Sequence, residues 1–197
     1  RWGTRIAFDD FRNKDVVAWG TTDEWAKRDW VYTVTGRFFN PEDIESEARV
    51  CVLILSGGWV VKPYWAKYFP EREMDKVLKR RSLVGRRIQL EDHVFTVIGV
   101  LQEPPRDKDP RWGHSSYGGS GNVLVPITTF QRLLSPQRQG RKARVQEIHV
   151  ETGSQESAGI GLRRIEGLLK ARHRGEKDFE IKDYREIIQG RMKRIRQ

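Results

Sequence analysis

The chain has 197 residues, 37% hydrophobic and 10% aromatic, enough for one domain or two small ones with a real core, which excludes a disordered chain. A formal net charge of +10 raises nucleic acid, anionic lipid or another acidic surface as partners, and one cysteine excludes an internal disulfide. No run reaches the roughly 18 to 20 apolar residues of a membrane-spanning helix, and no signal-peptide pattern opens the chain, which starts at Arg1 and reads as a piece of something longer.

In chain order, Val16 to Trp19 and Val31 to Thr35 read as strands. The stretch "GRFFNPEDIESEARVCVLIL" (36–55) then starts a helix and leaves it at once. Asn40 caps it, Pro41 takes the first position, and Glu42 and Asp43 suit the positive end of the dipole. Ser46 to Arg49 breaks the pattern, and Arg49 to Leu55 is a strand so apolar that both faces must be covered. Within it, Cys51 reads as a small buried thiol rather than a nucleophile. Pro63 lies within what should be a helix and predicts a kink or break there.

"LEDHVFTVIGVL" (90–101) predicts a hairpin between strands Arg87 to Leu90 and Val94 to Leu101, turning over Glu91, Asp92 and His93. Phe95, Val97, Gly99 and Leu101 oppose Val94, Thr96, Ile98 and Val100, apolar enough on both faces for a central strand. Residues 102–121, with Pro104, Pro105, Pro110 and a glycine-rich end, predict a loop long enough to move. Asn122 to Val125 is another strand. The remainder predicts a β-α-β unit: a strand from Val145 to Glu151, a helix with Ala158, Leu162, Ile165, Leu168 and Leu169 on its apolar face, and a short strand through Phe179 and Ile181. Asp183 is placed to cap a last helix.

Chemistry-bearing patterns are sparse. "GGSG" (118–121) is neither a phosphate-binding loop nor a nucleophile elbow, and His93, His114, His149 and His173 lack ligand spacing. Glu42, Asp43, Glu45 and Glu47 are explained by a helix start and by solvent. No catalytic, cofactor-binding or metal-binding residue is predicted. Trp19, Trp25, Trp30, Trp59 and Trp65 are assigned to core packing rather than base stacking, because they do not interleave with basic residues. The basic clusters Lys79/Arg80/Arg81/Arg86/Arg87, Arg138/Arg141/Lys142/Arg144 and Arg191/Lys193/Arg194/Arg196 read as solvated surface.

The order of the pieces is more informative than any one of them. "GTTDEWAKRDWVYTVTGRFFNPEDIESEARVCVL", "KYFPE", "LVGRRIQLEDHVFTVIGVL", "NVLVPITTFQRLL" and "VQEIHVE…IEGLLKARH…DFEIKD" together resemble the periplasmic core domain of MacB-like and FtsX-like ABC transporter permeases. The resemblance covers about Val16 to Asp183. It implies an α+β fold with a mostly β, Sabre-like subdomain over 36–144 and a β-α-β, Porter-like segment over 145–189. Residues 1–35 would be leading strands of the core domain with an incomplete Porter-like part, and 190–197 a basic membrane-proximal tail.

Such a domain lies outside the cytoplasmic membrane, between the first two membrane helices of a permease. It passes on ATP-driven movement, the ATPase being a separate cytoplasmic domain or subunit, and is not itself an enzyme. Expected partners are a second permease protomer, the cytoplasmic ATPase and a periplasmic adaptor or envelope protein, with anionic lipid against the tail and no nucleic acid or cofactor. Family cargoes range from macrolides and peptides to lipoproteins and cell-wall signals. The link "WVVKPYWAKYFPEREMDKVLKRRSLVG" (59–85) departs from the family in being longer than usual. Two other readings remain: a sensor binding a small ligand near Trp112 and Tyr117, and a soluble basic nucleic-acid module supported by charge alone.

Overall fold

A computed structural model describes residues 2–27, 33–68, 71–108, 121–135, 145–150, 152, 155–176 and 178–183. The chain divides into two compact units, Arg1–Arg144 and Val145–Gln197.

The first unit carries strands β1 (Trp2–Phe8), β2 (Phe11–Thr21), β3 (Thr33–Gly36), β4 (Val50–Leu55), β5 (Arg87–Leu90), β6 (His93–Gln102) and β7 (Gly121–Pro126). Between them lie helices α1 (Pro41–Glu45) and α2 (Glu73–Arg80); a short helix, α3 (Ile127–Thr129), follows β7 and continues as a π turn over Phe130–Leu134. All seven strands form one sheet in the order β3-β6-β4-β7-β2-β1-β5. Because β5 also pairs with β6, every strand except β3 belongs to a closed ring. β3 and β5 share one edge of β6, at Gly99–Gln102 and His93–Thr96 respectively, while β4 holds the other edge. The β2–β7 and β4–β6 pairs are parallel and the rest antiparallel.

β4 explains the two-sided apolar run. Cys51 and Leu53 join a buried cluster with Ile6, Val16, Phe95 and Val123, whereas Val52 and Ile54 join another with Leu124, Leu101 and Phe39. The strand is covered on both faces, as its composition requires. Trp19 and Trp25 pack against the second cluster, Trp25 stacking on Phe38 at 5.7 Å between ring centroids. The hairpin forms with a two-residue turn, Glu91 adopting a φ of 50° and Leu90 pairing with His93.

Several expectations need correction. Strict alternation along β6 fails at Ile98, because Cys51 pairs with Val97 and Val52 with Gly99, leaving Ile98 as a bulge. Beyond it the faces exchange: Val100 turns to the cluster of Val97, and Ile98 and Leu101 to the other. In the second unit only the helix of the expected β-α-β is present among the described residues, as α4 (Gln155–Arg172). Residues 145–150 and 178–183 form no ladder there, and Val145, Ile148 and Val150 are exposed. Alternation alone makes no strand without a neighbour to pair with. On α4, Ala158 is buried but Leu168 is exposed, off the predicted face. The helix expected after Asp183, like Val31 and Tyr32, lies outside the described residues.

The bulge rests on a backbone crossing. Gly36 pairs with Gly99 and has a φ of +85°; a Cβ on Gly36 would lie 2.4 Å from the Ile98 carbonyl oxygen, and one on Gly99 2.3 Å from that of Arg37. Neither neighbour is a side chain that could swing away. Gly36→Ala and Gly99→Ala are each expected to destabilise by about 2–4 kcal/mol, while Gly58→Ala, with nothing within 4 Å of its Cβ, should stay within about 0.5 kcal/mol of the parent. Urea unfolding of the three variants checks this; equal stability of Gly99→Ala and Gly58→Ala would refute the crossing as a constraint.

Candidate functional site: a clamped joint and an aromatic loop

The chain leaves the crossing with the Arg37 N–H donating to the Ile98 carbonyl at 3.0 Å. The Arg37 guanidinium then grips Asp43 with two hydrogen bonds, 2.5 and 3.1 Å. Asp43 also accepts from the Asn40 N–H at 3.0 Å, and the Asn40 side chain accepts from the Asp43 N–H at 2.8 Å, a reciprocal capping box. Sequence reasoning assigned Asp43 to the helix dipole alone. The structure buries it and makes it the hub of the helix start. The missed signal was an Asn-Pro-x-Asp box preceded by an arginine close enough to reach back.

α1 ends with Glu47 at a φ of 52°, a left-handed residue that turns the chain into β4 without a glycine. Its carboxylate pairs with Arg132 at 2.6 Å. Thr128 and Thr129 donate to the carbonyls of Ile44 and Ala48 at 2.6 and 2.9 Å. The short α1 is thereby tied to the α3 segment as well as to β6.

Burial pushes the Asp43 carboxyl up, but the Arg37 guanidinium, the Asn40 amide and the Arg37 charge outweigh it and leave it below the usual range. Glu91 behaves alike: burial raises it, and the Arg5 amide, the Arg5 guanidinium and the Thr4 hydroxyl bring it below normal. Its carboxylate accepts from the Arg5 N–H at 2.7 Å and from Thr4 at 3.0 Å.

A second feature lies beyond β4. The Glu103 N–H donates to the Leu55 carbonyl at 3.0 Å and the Arg106 N–H to Gly58 at 2.8 Å, stitching together the chain after β4 and after β6. A Cβ on Gly57 would fall 1.7 Å from the Pro104 oxygen, so glycine is required for this approach. The Asp107 carboxylate accepts from the Val60 and Val61 amides at 2.9 and 3.1 Å, and those bonds hold it below the usual range. Pro63 then opens a 3-10 turn over Tyr64–Tyr68, separate from α2, which is the break that its ring predicts.

This loop departs from the core-packing assignment for the tryptophans. Trp65 is 45% exposed and meets Trp59 edge-on at 5.3 Å, and Tyr64 and Tyr68 are more exposed still. Lys67 places its ammonium 3.5 Å over the Tyr64 ring.

Catalytic groupings are not assembled among the described residues. Cys51 is fully buried, which pushes its thiol far up and keeps it inert. His93 begins β6, His149 lies 3.4 Å from Glu147, and His173 lies 2.5 Å from Asp178, in separate places. No group of three or more His, Cys, Asp or Glu is positioned for a metal among the described residues. Lys79 and Arg81 are surface cations paired with Glu71 and Asp9. His114, Trp30, Trp112, Tyr117 and the basic clusters of 138–144 and 191–196 lie outside the described residues.

The family profile of the MacB-like periplasmic core domain matches residues 3–167. The chain belongs to this family. The periplasmic region of MacB from Actinobacillus actinomycetemcomitans is similar at a TM-score of 0.60 and 16% identity, over 95% of this chain and 70% of that one. The extracellular domain of YknZ, a noncanonic ABC-type transporter from Gram-positive bacteria, is similar at 0.62 and 15%, over 91% and 76%. At these identities the structural likeness speaks for the fold, and the profile for the family. Among curated proteins no sequence matches. As a MacB-like core domain, the chain is part of an ABC transporter permease and not a catalytic domain. No helix among the described residues is long and apolar enough to cross a membrane.

The depressed carboxyls of Asp43 and Glu91 are expected to contribute to the acid limb of stability. A carboxyl lower in the folded than in the unfolded state contributes fully above the unfolded value, near pH 4, and loses that contribution as pH falls through the folded value. Asp43→Asn should cost about 1–3 kcal/mol at neutral pH and flatten the decline below about pH 4. Thermal melts from neutral to acid pH measure both; a variant with the parent's acid slope would show that Asp43 does not carry it.

Proposed function

We propose that this domain works outside the cytoplasmic membrane as a mechanical relay, passing on movement driven by ATP hydrolysis in a separate cytoplasmic domain or subunit. The process served is export, efflux or a lipoprotein or envelope task. The observation that carries the reading is the family match over residues 3–167. The closed ring supports it, because a sheet whose strands are paired around a circuit resists shear better than an open one. So do the ties at the helix start, since a relay needs stiff bodies with few joints.

In this reading 36–144 corresponds to the Sabre-like part, 145–189 to the Porter-like part, and 190–197 to the tail nearest the membrane. The partners are a second permease protomer, the cytoplasmic ATPase, and an adaptor or envelope protein.

The test uses the full-length protein in intact cells whose outer barrier is permeabilised. Protease added outside is expected to cleave this domain and leave membrane-bound remnants; full protection in a soluble cytoplasmic fraction would overturn the reading. For the relay itself, Asp43→Asn in the full-length transporter should lower transport several-fold more than ATP hydrolysis. Equal losses of both would argue against a role in coupling.

A further inference from the structure

We propose that the loop from Trp59 to Tyr68 docks on an anionic lipid surface, entering the headgroup layer through Val60, Val61, Tyr64 and Tyr68. This goes beyond the relay reading, which assigns the loop no partner.

The composition is the first argument. Val60, Val61, Tyr64 and Tyr68 are 61%, 74%, 75% and 66% exposed, a concentration of apolar and aromatic surface that water does not favour. Tyrosine and tryptophan with lysine beside them are the residues that settle at a membrane interface, ring in the apolar layer and polar tip in water.

Charge is the second. Residues 48–70 contain no aspartate or glutamate, while Lys62 and Lys67 are exposed within the loop. Two neighbouring carboxylates are hydrogen-bonded: Asp107 to the Val60 and Val61 amides, and Glu71 to Lys79 at 2.5 Å. Asp107 keeps its negative charge, but Lys62 and Lys67 outnumber it, so the loop is net cationic, matching an anionic headgroup layer. A second copy of the chain fits worse, because a two-fold contact here would bring two patches carrying Lys62 and Lys67 face to face, like charge against like.

The backbone is the third. An exposed loop entering an apolar layer leaves amides without water, a cost of several kcal/mol each in hydrocarbon. Here the Val60 and Val61 amides at the loop's apolar start are bonded by Asp107, and the Ala66 amide bonds to the Pro63 carbonyl at 2.9 Å. Those amides can leave water without losing their partners.

The 197-residue chain is titrated with vesicles of phosphatidylglycerol and phosphatidylcholine at low salt, reading flotation and the quenching of tryptophan by bromine-labelled acyl chains. Binding with quenching is expected, and Val61→Asp with Tyr64→Asp should weaken it roughly tenfold or more. Both side chains are exposed, so the urea midpoint should not move; if that variant fails to fold, Lys62→Gln and Lys67→Gln should each weaken binding roughly fivefold. A parent that does not bind, or loop variants that bind like the parent, would overturn the proposal. So would loss of all binding and quenching when only Arg191, Lys193, Arg194 and Arg196 are replaced, which would assign the contact to the basic tail. Neither result bears on the family reading, which the protease experiment decides separately.

Discussion

The contact on which the first unit depends is one between main chains. At Gly36 and Gly99 two backbones come closer than any side chain allows, the Ile98 carbonyl occupying the space of a Cβ on Gly36 and the Arg37 carbonyl that of a Cβ on Gly99. Three consequences follow from that proximity. β3 is held against the end of β6, the extra residue at Ile98 is accommodated, and Arg37 emerges where it can reach Asp43. A larger residue at either place would separate the strand edge from the helix start and weaken all three together.

The bulge matters because β6 borders β5 and β3 on one edge and β4 on the other. Without it, a regular period of two would keep Leu101 on the face of Phe95 and Val97. With it, Leu101 joins Val52, Ile54 and Phe39, and the second cluster gains a large buried side chain. A fully buried leucine is worth roughly 2 kcal/mol in area terms, a gain that offsets part of the ladder lost at the bulge. Bulging also adds local twist, which helps a sheet bend into a closed ring.

The sequence disclosed the elements better than their assembly. β4, the hairpin at Glu91 and the capped start at Asn40 were legible because each is encoded within a few neighbours: an apolar run, a short polar turn, an Asn-Pro pair. The ring was not legible, since it needs β5 to reach β6 on one side and β1 on the other, a long-range fact no local pattern carries. Asp43 was misassigned for the same reason, its partner Arg37 being identifiable only once the chain has turned at Gly36. The strand expected at Val145 to Glu151 shows the converse: alternation is readable in one segment, but a strand exists only with a neighbour. The exposed aromatic loop was concealed by a sound general rule, because tryptophan is more often core than surface, and only burial separates Trp65 from Trp25.

If the domain works as the proposed relay, where the restraints sit matters more than how many there are. The ties around α1 are of three kinds: backbone contact at Gly36 and Gly99, a two-bond ion pair at Arg37 and Asp43, and threonine bonds from Thr128 and Thr129. Glycine contacts resist compression, because atoms cannot overlap, and hydrogen bonds resist separation. Together they oppose displacement in both directions, which a hydrophobic contact, being non-directional, does poorly. The loop of Trp59 to Tyr68 has the opposite design, with its backbone fixed by Asp107 and its rings left outside. That combination of rigid main chain and exposed apolar side chains suits a surface that meets another phase, whereas the α1 joint, braced in both directions, is the kind of place the proposed relay would need.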